Sequence, residues 1–322
     1  MNTEKAQEID FEAQIRNLKE QNESMHQMLA MTTGHLAEVV GDLESEKQLV
    51  ELQKAELQAI NDRQSEYLNT IEILNKNLTD SIRYASRVQK TLCGTEANLR
   101  EILPNSFIIN LPKDVVSGDF YLSLQHNDLI YIAVADCTGH GVAGSLLTII
   151  GCALLDKIIK ADVNGNPSEI IHQLDKEFRY FLKIQSEIAY EGMEVGLCII
   201  DQNNKILRFS GAKRPLYAYK GTESRVYDAT RHAIGYSKQK KEFINHEINL
   251  TGSCTYYLFS DGVTDQMSPY RRRLSPKSLQ HLFQLFCQES IEEQRSIYLN
   301  HFREYRGEAD QNDDIILLGF KA

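Results

Sequence analysis

Residues 128–155 read DLIYIAVADCTGHGVAGSLLTIIGCALL. Three kinds of structure follow one another in that stretch. DLIYIAVAD (128–136) is an apolar, β-rich run of strand length. DCTGHGVAGS is a glycine-rich loop that admits backbone geometry other residues resist. A helix is predicted from Val142 to Lys160, and its N-terminus favours anions. The loop lacks the lysine of a P-loop and the spacing of a dinucleotide site. What stands out is Asp136, a carboxylate at the very end of a buried strand.

The same context recurs. Asp119 lies in VSGDFY, Asp261 ends the run YYLFSDG, and Asp313 and Asp314 open NDDIILLGF. A single Asp-Gly is ordinarily a turn. Four such sites, far apart in the chain, can converge at one sheet edge. Clustered carboxylates repel, and cations relieve the repulsion. Oxygen ligands without a His/Cys set suit Mg²⁺ or Mn²⁺ rather than zinc. Two such ions can bind a phosphoryl group and activate a water.

Outward from this core, further strands are predicted at FIINL (107–111), EVGLCIID (194–201), KILRFSG (205–211), PLYAYK (215–220), KEFINHEINL (241–250), CTYYLFSD (254–261) and DIILLGFK (314–321). Helices are predicted at Pro167–Ile184, Ser275–Glu289 and Ile291–Tyr305. Strands in series with helices in blocks give an α+β sandwich with antiparallel pairing.

The first hundred residues follow other rules. All six prolines fall at or after Pro104, and only Gly34, Gly41 and Gly94 of the 18 glycines precede it. Steps of seven from Leu29 reach Leu36, Leu43, Val50, Leu57, Gln64, Ile71, Leu78, Ala85 and Leu92, with nine of the ten positions apolar. The companion series through Thr32, Val39, Glu46, Gln53, Ile60, Tyr67, Leu74, Ser81 and Val88 is weaker in its middle. This is a coiled-coil seam, and a lone helix would leave it in water. A parallel dimer is one solution; a helical hairpin turning near Gly34 and Gly41 is the other. The domains are therefore drawn as a coiled coil over 1–92, a linker over 93–104 and a sandwich domain over 105–322.

The chain has 322 residues, 42% hydrophobic and 25% charged, an ordinary globular balance. A net charge of −10 argues against nucleic-acid binding. The six cysteines show no C-x-x-C spacing, and the acidic, polar start is no signal peptide. VAGSLLTIIGCALL is judged too short and glycine-broken to span a bilayer. The expectation is a cytoplasmic protein with no membrane segment.

SIRYASRVQKTL, PKDVVSGDFY, VADCTGHGVAGSLL, GLCIID, FSGAKRPLY, the RHAIGY turn, LFSDGVTDQ and NDDIILLGF, in that order over residues 80–322, resemble the bacterial PP2C-type (PPM) serine/threonine phosphatases of the SpoIIE/RsbU group. The resemblance implies a PP2C-like αββα sandwich with two Mn²⁺ or Mg²⁺ ions at one end of the sheets. It also implies hydrolysis of phosphoserine or phosphothreonine on a partner protein, often a STAS-type anti-sigma-factor antagonist. Carried over residue by residue, Asp136 bridges both metals and the Cys137 backbone carbonyl adds a ligand. Asp261 and Asp313 complete the shell, and Asp119 binds a metal or orients its waters. Asp313 is preferred to Asp314 because the family's last motif uses the first of its acidic pair. Gly118, Gly139 and Gly141 shape the loop, as does His140, for which proton donation is the alternative.

Departures from the family pattern are present too. Ile316 stands where Thr is frequent, and no clear phosphate-gripping Arg appears. Lys113, Lys213 and Arg214 are candidates for that role, against a bland reading of each as a solvated or carbonyl-bonding side chain. Arg271–Arg273 read as a solvated basic loop, with substrate docking as the alternative. The rival function is a catalytically silent pseudophosphatase scaffold dimerised by the coil. In the leading reading the coil regulates the enzyme through its junction with the catalytic domain.

Overall fold

The computed structural model describes residues 2–162, 164–183, 191–235, 242–250 and 254–322. Helix α1 runs unbroken from Asn2 to Cys93. Gly34 and Gly41 lie inside it without interrupting it, so the helical hairpin is not formed. The chain divides into two units, Met1–Asn77 and Leu78–Ala322. In the first, the seam residues Leu29, Leu36, Leu43, Val50, Leu57 and Ile71 are all exposed.

The second unit begins with the last turns of α1. Stretch 93–104, read as a linker from the sequence, carries helix α2 (Glu96–Ile102), N-capped by Thr95. Leu99 and Leu103, on and just after α2, are buried in the core between the sheets. Strands and helices then alternate as β1 (Ser106–Leu111), β2 (Asp119–His126), β3 (Leu129–Cys137), α3 (Gly141–Ala161) and α4 (Pro167–Phe181). Next come β4 (Met193–Asp201), β5 (Ile206–Ala212), β6 (Leu216–Lys220), β7 (Glu223–Tyr227), β8 (His246–Asn249) and β9 (Thr255–Phe259). Short α5 (Gly262–Asp265), then α6 (Pro276–Phe286), α7 (Ile291–Arg306) and β10 (Ile315–Lys321) complete the chain.

The strands form two five-stranded sheets, β1-β10-β9-β6-β7 and β2-β3-β4-β5-β8, antiparallel throughout. Alternation along each strand sorts side chains into three cores. Ile130, Ile132 and Val134 of β3 meet Ile316, Leu318 and Phe320 of β10 between the sheets. Tyr131, Ala133 and Ala135 point the other way, under α3 and α4. Phe107, Tyr257 and Leu317 pack with Phe283 of α6 and Tyr298 of α7. The layers are therefore α, β, β, α, as the resemblance implied.

Three differences from the sequence reading have local causes. Strand β2 was not foreseen. It pairs with β3 through a two-residue turn, Asn127–Asp128, both at positive φ, the geometry favoured in tight hairpins. Strand β7 is short and mostly exposed, so it carries no apolar run. The predicted strand 241–250 shrinks to β8, and residue 241 lies outside the described residues, as does Ile184, the expected end of α4.

Helix α3 also corrects the membrane argument. At 21 residues it is long and apolar enough to cross a bilayer, unlike any other described helix. Its position, not its length, argues otherwise: Thr148, Cys152, Leu155 and Ile159 are buried on the sheet face.

Candidate active site

Antiparallel order places the start of β2, the end of β3 and the start of β4 at one edge. Asp119 pairs directly with Asp136, and Asp136 with Glu194. All three have the strand parity of the residues that fill the space between the sheets. In the facing sheet, β9 ends just before Asp261, and β10 begins just after Asp313 and Asp314. The carboxylates therefore meet at one end of the inter-sheet core. Asp136, Glu194 and Asp261 each present an oxygen within 4.8 Å of the others.

Like charges opposite one another on a ladder are unfavourable, and burial makes this worse. Burial pushes Asp136 up to about 8, with the nearby Arg214 pulling the other way and Asp261 adding to the rise. Asp119 is also held well above the usual carboxylate range, first by burial and then by Asp136. Its Oδ2 is buried without a hydrogen-bond partner. Burial likewise raises Asp313. A hard divalent cation relieves all of these penalties at once, and an all-oxygen donor set suits Mn²⁺ or Mg²⁺. The residues present thus fit such ions.

The loop between β3 and α3 is held by close backbone approach. Gly139 sits at φ 88°, a conformation side chains rarely adopt. A Cβ on Gly118 or Gly144 would strike its carbonyl oxygen. Cys137 donates its N–H to the Gly118 carbonyl at 3.0 Å. Its thiol belongs to the core under α3, away from the carboxylates, and burial raises its pKa. Gly141, at φ 65°, opens α3, and His140 Nδ1 lies 3.2 Å from Asp114 Oδ2 on the exposed side of this loop.

Asp313 and Asp314 occupy different positions. Asp314 is buried and accepts the Lys113 N–H at 2.8 Å and the Gly118 N–H at 2.7 Å. Asp313 lies near Asp261, whose charge helps to raise it, and Lys113 lowers it. Ile316 is buried between the sheets, and its N–H donates to Ser260 Oγ at 2.9 Å.

One group escapes the sequence reading, and a second, Arg214, enters it in another role, as a candidate phosphate-binding cation. Glu194 opens the predicted strand 194–201 but is not read there as a site residue; its register against Asp136 brings it in. Arg214 is not a solvated charge. It is 7% exposed, and its Nη2 contacts Asp136 Oδ2, Glu194 Oε2 at 2.7 Å and Asp261 Oδ2 at 3.1 Å. Burial works against its charge, and the three carboxylates more than offset that. Lys213 Nζ also reaches Glu194, at 2.9 Å. Arg271, Arg272 and Arg273 are exposed, with Arg273 paired to Asp265 at 3.2 Å.

The last turns of α1 grip this edge. Gln89 Nε2 donates to the Ser117 carbonyl at 2.6 Å, and Gln89 Oε1 accepts the Ser117 N–H at 3.2 Å. Ser86, Gln89 and Cys93 form the buried face there, while Leu78 and Leu92 of the seam stay exposed.

Comparisons with known proteins agree with this geometry. Residues 126–322 match the family model of Stage II sporulation protein E (SpoIIE). Phosphoserine phosphatase RsbU of Bacillus subtilis (strain 168) is 24% identical over 201 residues, 61% of this chain and 57% of that protein. The chain thus spans little more than half the length of this curated relative. The SiaA-PP2C domain of Pseudomonas aeruginosa superposes with a TM-score of 0.71 at 32% identity, covering 77% of this chain and 98% of that domain. The PP2C phosphatase domain of SpoIIE from Bacillus subtilis, with a fragment of its regulatory domain, gives a TM-score of 0.56 at 16% identity, over 67% of this chain and 61% of that one.

Proposed function

Because this chain belongs to the SpoIIE family, we propose that it is a metal-dependent serine/threonine protein phosphatase acting on a phosphoprotein. The observation that carries the reading is the carboxylate row Asp119–Asp136–Glu194 facing Asp261 and Asp313 at one end of the sandwich. Asp119, Asp136, Asp261, Asp313 and the Cys137 carbonyl would hold two Mn²⁺ or Mg²⁺ ions. Those ions would supply Lewis-acid polarisation of the phosphoryl group and a more acidic attacking water. The chain's own part is placement. Gly118, Gly139 and Gly141 fix the loop between β3 and α3, His140 braces it against Asp114, and the sheets hold the carboxylates in register. Lys113 and Lys213 flank the cluster as cations for the incoming phosphate.

The substrate in this reading is a STAS-type anti-sigma-factor antagonist in a cytoplasmic partner-switching pathway. The relationship to a phosphoserine phosphatase supports the phosphoserine part of this reading. The exposed seam of α1 supports a parallel homodimer through residues 1–92. The bidentate contact of Gln89 with Ser117, two residues before Asp119, supports regulation through that helix.

A catalytically silent scaffold is the second reading, and Arg214 favours it: a guanidinium lies among the very carboxylates a metal needs. Hydrolysis separates the two. The full chain should hydrolyse an aryl phosphate and a phosphoserine-bearing STAS protein with Mn²⁺ and stop on chelation. Asp136→Asn should lose this turnover and keep its circular dichroism. No metal-dependent hydrolysis of either substrate would overturn the phosphatase reading. A phosphoproteome comparison of wild type with an Asp136→Asn strain would then identify the physiological substrate.

A further inference from the structure

One nitrogen atom, Nη2 of Arg214, is the point at which Asp136, Glu194 and Asp261 converge. These are also the three carboxylates whose oxygens lie close enough together to share a cation. The guanidinium and a divalent ion therefore compete for the same oxygens. Two positive groups drawn to one small cluster repel each other strongly where water is excluded.

The surroundings of Arg214 suit a side chain that must yield. Its backbone is fixed: a Cβ on Gly211 would strike the Arg214 carbonyl oxygen, and one on Gly196 would lie 3.4 Å from it. Its Nε, in contrast, is buried with no hydrogen-bond partner. The described ion pairs of the guanidinium are all at Nη2. Moving the head group off the carboxylates sacrifices nothing at Nε, and the anchored backbone confines the movement to the side chain. Lys213 remains beside Glu194 as a second cation when the guanidinium leaves.

We propose that Arg214 is a resident counter-cation. It neutralises the carboxylate cluster in the metal-free chain and is exchanged for the divalent ion when metal loads. Metal binding at this site is then a displacement, and Arg214 sets how much metal is needed. The inference rests on the reading that these carboxylates bind metal in a phosphatase.

The test uses the full chain stripped with a chelator. Arg214→Gln removes the charge and should bind Mn²⁺ at least about tenfold more tightly by calorimetry, since a cation beside the site is gone. Its metal-free melting temperature should fall, and the rise on adding Mn²⁺ should exceed that of wild type. Arg214→Lys, which keeps the charge, should bind Mn²⁺ close to the wild-type level. A folded Arg214→Gln chain that binds Mn²⁺ no more tightly than wild type overturns the proposal. A second measurement needs no folded variant. In ¹⁵N-arginine-labelled wild type, the Arg214 side-chain resonance should move as Mg²⁺ is titrated, in step with occupancy. An Arg214 resonance unmoved at saturating Mg²⁺ overturns the exchange while leaving the phosphatase reading intact. Absence of any Mg²⁺ or Mn²⁺ binding overturns both.

Discussion

Asp313 and Asp314 are neighbours in sequence with different partners. Asp314 satisfies two backbone N–H groups, of Lys113 and Gly118, where little water reaches. Removing a buried acceptor leaves its donors unpaired, at roughly 1–3 kcal/mol each. Asp314→Ala should therefore lower stability to urea by about 2–6 kcal/mol. Asp313→Asn keeps an oxygen for the Asp314 N–H, so its stability should stay near wild type while Mn²⁺ affinity falls. The reverse pattern, with Asp314→Asn weakening metal and sparing stability, would exchange their roles. Asp261→Asn, which leaves the metals short of a carboxylate, should lose at least about a hundredfold in turnover with an unchanged circular dichroism spectrum. Turnover within a few-fold of wild type would remove Asp261 from the metal shell. The aspartates were legible in the sequence because each ends or opens an apolar run. Glu194 also opens an apolar run, but that it meets Asp136 shows only once β4 is laid against β3.

Among the α1 side chains buried at the catalytic edge, Gln89 hydrogen-bonds the backbone of that edge. Gln89 pairs with both backbone groups of Ser117 much as a neighbouring strand would. Gln89→Leu removes both bonds and should speed hydrogen exchange at the Gly118 and Asp119 amides. Mn²⁺ affinity should weaken in parallel. Unchanged exchange and affinity would show that this contact does not couple the helix to the site. Away from the site, α7 begins with a capping box, in which Ser290 and Glu293 satisfy each other's backbone N–H groups. Ser290→Ala should cost about 1 kcal/mol in urea denaturation and leave activity unchanged. At this scale most elements were legible, since strand alternation and helix period are local properties. Strand β2 was missed although its two-residue Asn127–Asp128 turn is a readable hairpin signal. Strand β7 offers no comparable signal, because its residues are mostly exposed and it forms by pairing with β6.

For the whole molecule, the exposed α1 seam makes assembly the principal expectation. The full chain should sediment as a dimer at micromolar concentration, because the seam over Leu29–Leu78 has no cover of its own. A chain starting at Leu78 should be mostly monomeric and keep the catalytic fold. A start at residue 105 would be a poor choice, as it deletes Leu99 and Leu103 from between the sheets; loss of one such buried leucine costs about 2–5 kcal/mol. A monomeric full chain would leave the coiled-coil assignment without support. Inserting four residues after Asn75 turns the following helix by about 40° beyond a full turn. Metal titrations that match wild type after this insertion would reduce α1 to a dimerisation handle.

What the sequence by itself determined is the set of local decisions. These are a helical stretch with a heptad seam, apolar runs alternating with turns, glycines where the backbone must bend or approach closely, and aspartates at strand ends. Each follows from the chemistry of neighbouring residues. Only the tertiary structure decided which charges meet. Glu194 stands beside Asp136 through strand register across 58 positions of chain, and Arg214 reaches three carboxylates from the turn after β5. Asp314 is tied to a loop 196 to 201 positions away. Such contacts depend on how the sheets stack, and burial then turns the meeting of charges into a large energy that no local pattern records.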